Sequence, residues 1–200
     1  MEANNSIDSR RAELLQILRA QSVFHGDFTL SSGAKSKYYV DCRLTTLDGR
    51  GAWLIGQLMH RLVRDEEQRR KLRIDSVGGL TMGADPVALA TGMISHWAKD
   101  APALRIFCVR KAPKAHGQTK LIEGNFRRGD TVVVVDDVIT SGSSTITAIN
   151  AVVNEGGRVA FAAVLVDRQE GGREKIEAMG YPLLSLFQRE ELLRDDASSA

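Results

Sequence analysis

Four consecutive valines, Val132 to Val135, leave no polar position for either face of a strand. Such a strand is buried on both sides, as in a parallel sheet covered by helices. Elsewhere the apolar positions keep helical or alternating spacing. Ile7 to Ala20 puts Leu14, Leu15 and Leu18 on one helix face, and Gly51 to Arg64 does the same with Ile55, Leu58, Met59 and Leu62. Phe28 to Leu30 and Tyr38 to Val40 are short β-type runs around Ser31-Ser32-Gly33, which predicts a small hairpin or hood. A strand around Ile74 to Val77 leads into Gly78-Gly79, and a helix follows with Asp85 as N-cap and Pro86 as first residue. Leu104 to Val109 is a strand, and a polar stretch runs from Arg110 to Asp130. After the valine strand, a helix from Thr145 to about Glu155 ends at Gly156-Gly157. Val159 to Val166 is a strand, a short helix closes at Gly180, and a last strand spans Leu183 to Phe187.

Strands alternating with helices predict an α/β fold, a parallel doubly wound sheet. Residues 1–200 fit one domain, with 1–45 contributing the first helix and the hood. In such sheets ligands bind beyond the C-terminal strand ends. Gly78-Gly79, Arg110-Lys111, Asp136-Asp137 and Asp167-Arg168 all fall at those ends, which points to a single site.

The valine strand carries the strongest chemical signal. It runs into Asp136-Asp137-Val138-Ile139 and then Thr140-Ser141-Gly142-Ser143-Ser144, where a helix opens. Free backbone N–H groups and the positive end of the helix dipole make that loop a phosphate site. The two carboxylates would repel a phosphate, so they suit sugar hydroxyls or a divalent cation beside it. Arg110-Lys111-Ala112-Pro113-Lys114-Ala115-His116-Gly117 reads either as a lid able to neutralise a charged anion or as a solvated surface loop. Arg168 reads as a carboxylate-binding fork or as a salt-bridge partner of Asp167 or Glu170.

Composition mainly excludes. The hydrophobic fraction of 43% is that of a globular chain with a core, and a net charge of +2 gives no general polyanion-binding surface. Nucleic acid is therefore not an expected partner. Arg69-Arg70-Lys71, within the polar stretch from Asp65 to Arg73, is expected to be a solvated face. Cys42 and Cys108 are distant and without a ligand pattern, as in reduced thiols. No apolar run approaches the ~18 residues of a membrane span, and the N-terminus lacks signal-peptide regions. Cytoplasm is the expected location. His25, His60 and His96 have no ligand spacing, and no nucleotide or zinc motif is present.

Four segments together resemble the type I phosphoribosyltransferase family, and within it the orotate phosphoribosyltransferases. Residues 131–144 look like its phosphoribosyl pyrophosphate (PRPP) motif, and Arg110 to Gly117 looks like its R-K-x-x-K-x-H-G lid. Phe28 to Asp41 is similar to its hood, and Asp167-Arg168-Gln169-Glu170-Gly171 to its D-R-Q-E-G segment. Gly78 to Pro86 resembles its pyrophosphate loop, with Met82 and Ser31 standing where some members carry lysine.

The resemblance implies transfer of the phosphoribosyl group of PRPP to orotate in pyrimidine synthesis. It implies that Asp136 and Asp137 contact the ribose hydroxyls and that Val138, Ile139, Thr140, Ser141, Gly142, Ser143 and Ser144 hold the 5′-phosphate. Arg110, Lys111, Lys114 and His116 would meet PRPP, and Lys114, His116, Asp136 and Asp137 would form the catalytic group. Thr140, Arg168, Tyr38 and Tyr39 would contact orotate, ordinary strand packing remaining the reading for one tyrosine. It further implies Mg²⁺ held by PRPP and water without a direct protein ligand, and a homodimer that shares its lids. A phosphoribosyltransferase for another base, or a PRPP-sensing regulator, shares part of this pattern.

Overall fold

The computed structural model describes residues 2–29, 35–99, 101–112 and 120–194. Helix α1 (Glu2–Ser22) leads into a hairpin of β1 (Val23–Thr29) and β2 (Lys35–Val40), which pair antiparallel as the hood. A short α2 (Arg43–Thr46) and a long α3 (Gly49–Arg70) follow. The remaining elements are β3 (Ser76–Leu80), α4 (Ala84–Ala98), β4 (Arg105–Val109), β5 (Ile122–Gly124), β6 (Thr131–Ile139), α5 (Ser143–Asn154), β7 (Arg158–Asp167), α6 (Gly172–Ala178), β8 (Leu183–Gln188) and α7 (Arg189–Leu193).

The six-stranded sheet has the order β5-β4-β3-β6-β7-β8. Its pairs are parallel apart from β4 with β5. The alternation of a strand explains the two cores. Val133, Val135, Phe161, Ala163 and Leu165 pack under α1, α3 and α4, while Val132, Val134, Ala162 and Val164 pack under α5 and α6. Burying one such valine is worth ~1.5–3 kcal/mol. Helices on both faces make the sheet doubly wound, as the valine run predicts.

Several boundaries differ from the sequence reading. The acid pair lies inside β6, because β7 keeps pairing as far as Ile139↔Asp167. Gly78 and Gly79 likewise lie inside β3, where a Cβ on Gly78 would meet the Phe107 carbonyl at 2.2 Å. The polar stretch from Arg110 to Asp130 contains β5, an edge strand too short to show alternation. Helix α3 continues past Arg64 to Arg70, since Glu66 pairs with Arg69 and Arg70 at helical spacing (both 2.6 Å). Those arginines are thus partly neutralised. Helix α4 starts at Ala84 with Gly83 before it, so Asp85 sits in its first turn and accepts from Thr81 Oγ1 at 2.6 Å. Helix α5 starts at Ser143, two residues earlier than Thr145, because Gly142 adopts φ +80° and turns the chain there.

Candidate active site

After β4 the chain returns across the sheet to place β6 against the other side of β3. That reversal is the switch point where α/β sheets bind ligands. The β3–β6 pairing runs from Ser76↔Val132 to Gly78↔Val134, and beyond it the two strands border a crevice. Residues 80–84 fold over one side of it. A Cβ on Gly83 would lie 2.4 Å from Asp137 Oδ1 and 2.9 Å from Asp136 Oδ1, so only glycine lets this loop approach the pair.

Asp136 and Asp137 are 4% and 7% exposed. Asp136 accepts from the Asp137 amide at 3.1 Å and from Thr145 Oγ1 at 3.3 Å, and Asp137 accepts from the Val138 amide at 2.8 Å. Burial, and then the neighbouring Asp137, pushes Asp136 up to about 8. Burial also raises Asp137, opposed by the Val138 amide and by the positive charge of Arg43. Two buried carboxylates side by side cannot both ionise cheaply. The pair is therefore poised to take hydroxyl donors or a cation.

Beyond β6, the α5 N-terminus offers Ser141, Ser143 and Ser144 at an exposed surface, with the first amides of the helix free of intrahelical acceptors. One strand over, Arg168 follows β7 with its amide bonded to the Ile139 carbonyl (3.0 Å). Its guanidinium lies 5.5 Å from the Tyr38 ring centroid and is buried. Nη2 is 2.7 Å from Glu170 Oε1, yet Nε and Nη2 both lack a hydrogen bond. The contact is electrostatic without hydrogen-bond alignment, so two buried donors remain open to a planar acceptor. Asp167 is not the partner of Arg168; it holds Arg173 Nε at 2.8 Å. Among the described residues no group of three or more His, Cys, Asp or Glu side chains is placed to hold a metal.

The comparisons with known proteins agree with this geometry. The phosphoribosyl transferase domain family matches residues 88–181. Orotate phosphoribosyltransferase of Streptomyces avermitilis is 46% identical over 93% of this chain and 98% of its own. The chain belongs to the orotate phosphoribosyltransferase family. The solved Mycobacterium tuberculosis orotate phosphoribosyltransferase with Fe(III) dicitrate superposes with a TM-score of 0.79 at 44% identity, covering 92% of this chain and 99% of that one. The same enzyme in complex with PRPP gives a TM-score of 0.74 at 42% identity, over 92% and 98% of the two chains.

In this chain the structure gathers Asp136, Asp137 and Thr140 to Ser144 at one end of β6, with Arg168 and Tyr38 alongside. Tyr39 points elsewhere: its ring is 5.7 Å from Phe28, so alternation in β2 gives one tyrosine to Arg168 and the other to hood packing. Arg110 follows β4, with its amide on the Leu121 carbonyl and its side chain 3.7 Å from Glu123. Lys111 is exposed. Lys114 and His116 lie outside the described residues, as do Ser31 and Ser32 of the hood.

The sequence reading puts Gly83 in the pyrophosphate loop, and the structure adds that it faces the acid pair. One contributor escaped that reading: Arg43, held by Asp41 through Nε (2.8 Å) and Nη2 (2.7 Å) while its charge acts on Asp137. Asp41-Cys42-Arg43 directly after the hood was the available signal. No helix among the described residues is long and apolar enough to cross a membrane.

Proposed function

We propose that this family member transfers the 5-phosphoribosyl group from PRPP to orotate at the β3–β6 crevice, giving orotidine 5′-monophosphate and pyrophosphate for pyrimidine synthesis. The observation that carries the orotate half is Arg168. A buried guanidinium with two open donors beside an aromatic face suits a flat ring bearing a carboxylate, which purines and uracil lack.

In this reading the amides and hydroxyls of residues 140–144 take the 5′-phosphate, and Asp136 and Asp137 accept the ribose hydroxyls. As the C1′–O bond to pyrophosphate breaks, positive charge develops at C1′ and the carboxylate pair lies on hand to stabilise it. Orotate N1, oriented by Arg168 and Tyr38, gives up its proton to solvent and forms the new bond to C1′ from the opposite face, and the electron pair of the broken C1′–O bond leaves with pyrophosphate. Positioning therefore supplies most of the rate. A Mg²⁺ carried by PRPP and water would offset the pyrophosphate charge. Lys111, Lys114 and His116 are proposed to close over that pyrophosphate from the lid of a second subunit, in a cytoplasmic homodimer.

The test is turnover. Purified protein with PRPP and Mg²⁺ should consume orotate, followed by its absorbance. Turnover of adenine or hypoxanthine without orotate would sink the orotate assignment, and PRPP binding without turnover of any base would favour a regulator.

A further inference from the structure

The loop that would hold the 5′-phosphate has no charge of its own. From Val138 to Asn154 the chain carries no ionisable side chain, and two carboxylates, Asp136 and Asp137, stand directly before that stretch. Helix α5 offers its first amides and a dipole end worth about half a charge, which falls short of a phosphate dianion. Any full counter-charge must come from another element.

Helix α6 stands against this loop. Its first residue, Gly172, is pressed so close that a Cβ would lie 2.4 Å from the Thr140 carbonyl oxygen and 2.8 Å from the Gly142 nitrogen. Gly171, at φ +87°, turns the chain into that contact. Arg173 fixes the helix from behind, with Nε on Asp167 at the end of β7 (2.8 Å) and Nη2 on Ser185 of β8 (3.2 Å). About one turn on from Gly172, Lys175 reaches back to the loop. Its Nζ donates to the Ser141 carbonyl at 3.3 Å. Among the described residues no carboxylate pairs with this ammonium, and Glu177 on the same helix meets Arg173 instead (3.3 Å).

We infer that Lys175 is the counter-charge of the 5′-phosphate and selects phosphorylated ribose over the free sugar. This rests on the proposed PRPP site and adds to it a residue from outside the binding loop. An ammonium has three donors, so one on the Ser141 carbonyl leaves two for phosphate oxygens or a bridging water. The charge is held at the loop before any ligand arrives, so little side-chain freedom is lost on binding. Neither neighbouring arginine can take this part. Arg168 is buried against Tyr38, and Arg173 is committed to Asp167, Leu183 and Ser185. Lys175 lies beyond the D-R-Q-E-G segment, so no motif in the sequence points to it.

Titration calorimetry on the full chain tests this, with PRPP, ribose 5-phosphate and pyrophosphate as separate ligands at low salt. Lys175→Gln keeps a donor for the Ser141 carbonyl but removes the charge, whereas Lys175→Arg keeps the charge. Ribose 5-phosphate and PRPP should bind Lys175→Gln about fivefold more weakly than the wild type. Lys175→Arg should stay within about twofold of the wild type, and pyrophosphate should bind all three proteins alike. Lys175→Glu should weaken ribose 5-phosphate further, and added salt should narrow every gap. Equal binding of ribose 5-phosphate by wild type and Lys175→Gln would reduce Lys175 to a staple between helix and loop. An equal loss for pyrophosphate would make it part of a general field, and a wild type that binds no ribose 5-phosphate would remove the site; each result overturns the inference. Orotate turnover is read separately: its absence would sink the orotate assignment while the comparison on ribose 5-phosphate still decides Lys175.

Discussion

Asp136 is held in the folded chain with a proton that the unfolded chain gives up near pH 4. The folded form binds the extra proton between that value and about 8, so this carboxyl's contribution to stability falls as pH rises across the window and is flat above it. Asp136→Asn removes the titration. Without ligand, the variant should match the wild type near pH 4 and out-melt it at pH 8 by a few degrees, about 1–2 kcal/mol, while losing PRPP-dependent turnover. Melting curves that stay parallel across the window would refute the buried-proton account. Arg43 acts in the other direction, because its charge favours ionised Asp137. Arg43→Ala should therefore move the acidic limb of the kcat/KM profile toward higher pH. An unmoved limb would confine Arg43 to its ion pair with Asp41.

Among the elements, the loop between β3 and α4 shows how little room the site leaves. Gly83→Ala would drive a methyl group against both carboxylates, and overpacking of this kind costs ~1–3 kcal/mol. The loop can move outward to relieve it, so the predicted phenotype is a raised KM for PRPP with the fold retained. Gly49→Ala, where a Cβ meets nothing within 4 Å, is the matched control. An unchanged KM in Gly83→Ala would show that the loop does not touch PRPP. The difference between these glycines was not legible in the sequence, because it depends on a strand more than fifty residues away. The central strands and their helices were legible, since burial on both faces imposes an unbroken apolar run on β6 and β7. Short edge strand β5 and the start of α4 were not: one pairs for three residues, and in the other Asp85 sits inside the first turn, accepting from Thr81. Arg168 was readable as a functional cation, while its two open donors emerge only from its packing under Tyr38.

For the whole molecule, the proposal of a lid shared between subunits makes a prediction that no single chain can satisfy. Lys114→Ala and Arg168→Ala proteins should each be inactive as homodimers, yet regain part of the activity when mixed and allowed to exchange. A mixed dimer holds one site with an intact lid from one chain and an intact Arg168 from the other. Lack of rescue despite demonstrated exchange would mean that each chain closes its own lid.

The early end of the β3–β6 pairing has a mechanical meaning as well. Strands β6 and β7 stay registered from Thr131↔Arg158 to Ile139↔Asp167, while β3 and β6 hold only from Ser76↔Val132 to Gly78↔Val134. The sheet is thus two leaves joined along a short seam, and a ligand lodged at its open end is a clasp between them. Amide hydrogens along that seam should exchange with deuterium faster than those between β6 and β7, and saturating PRPP should slow them. Substrate binding would then stiffen the protein across its own midline.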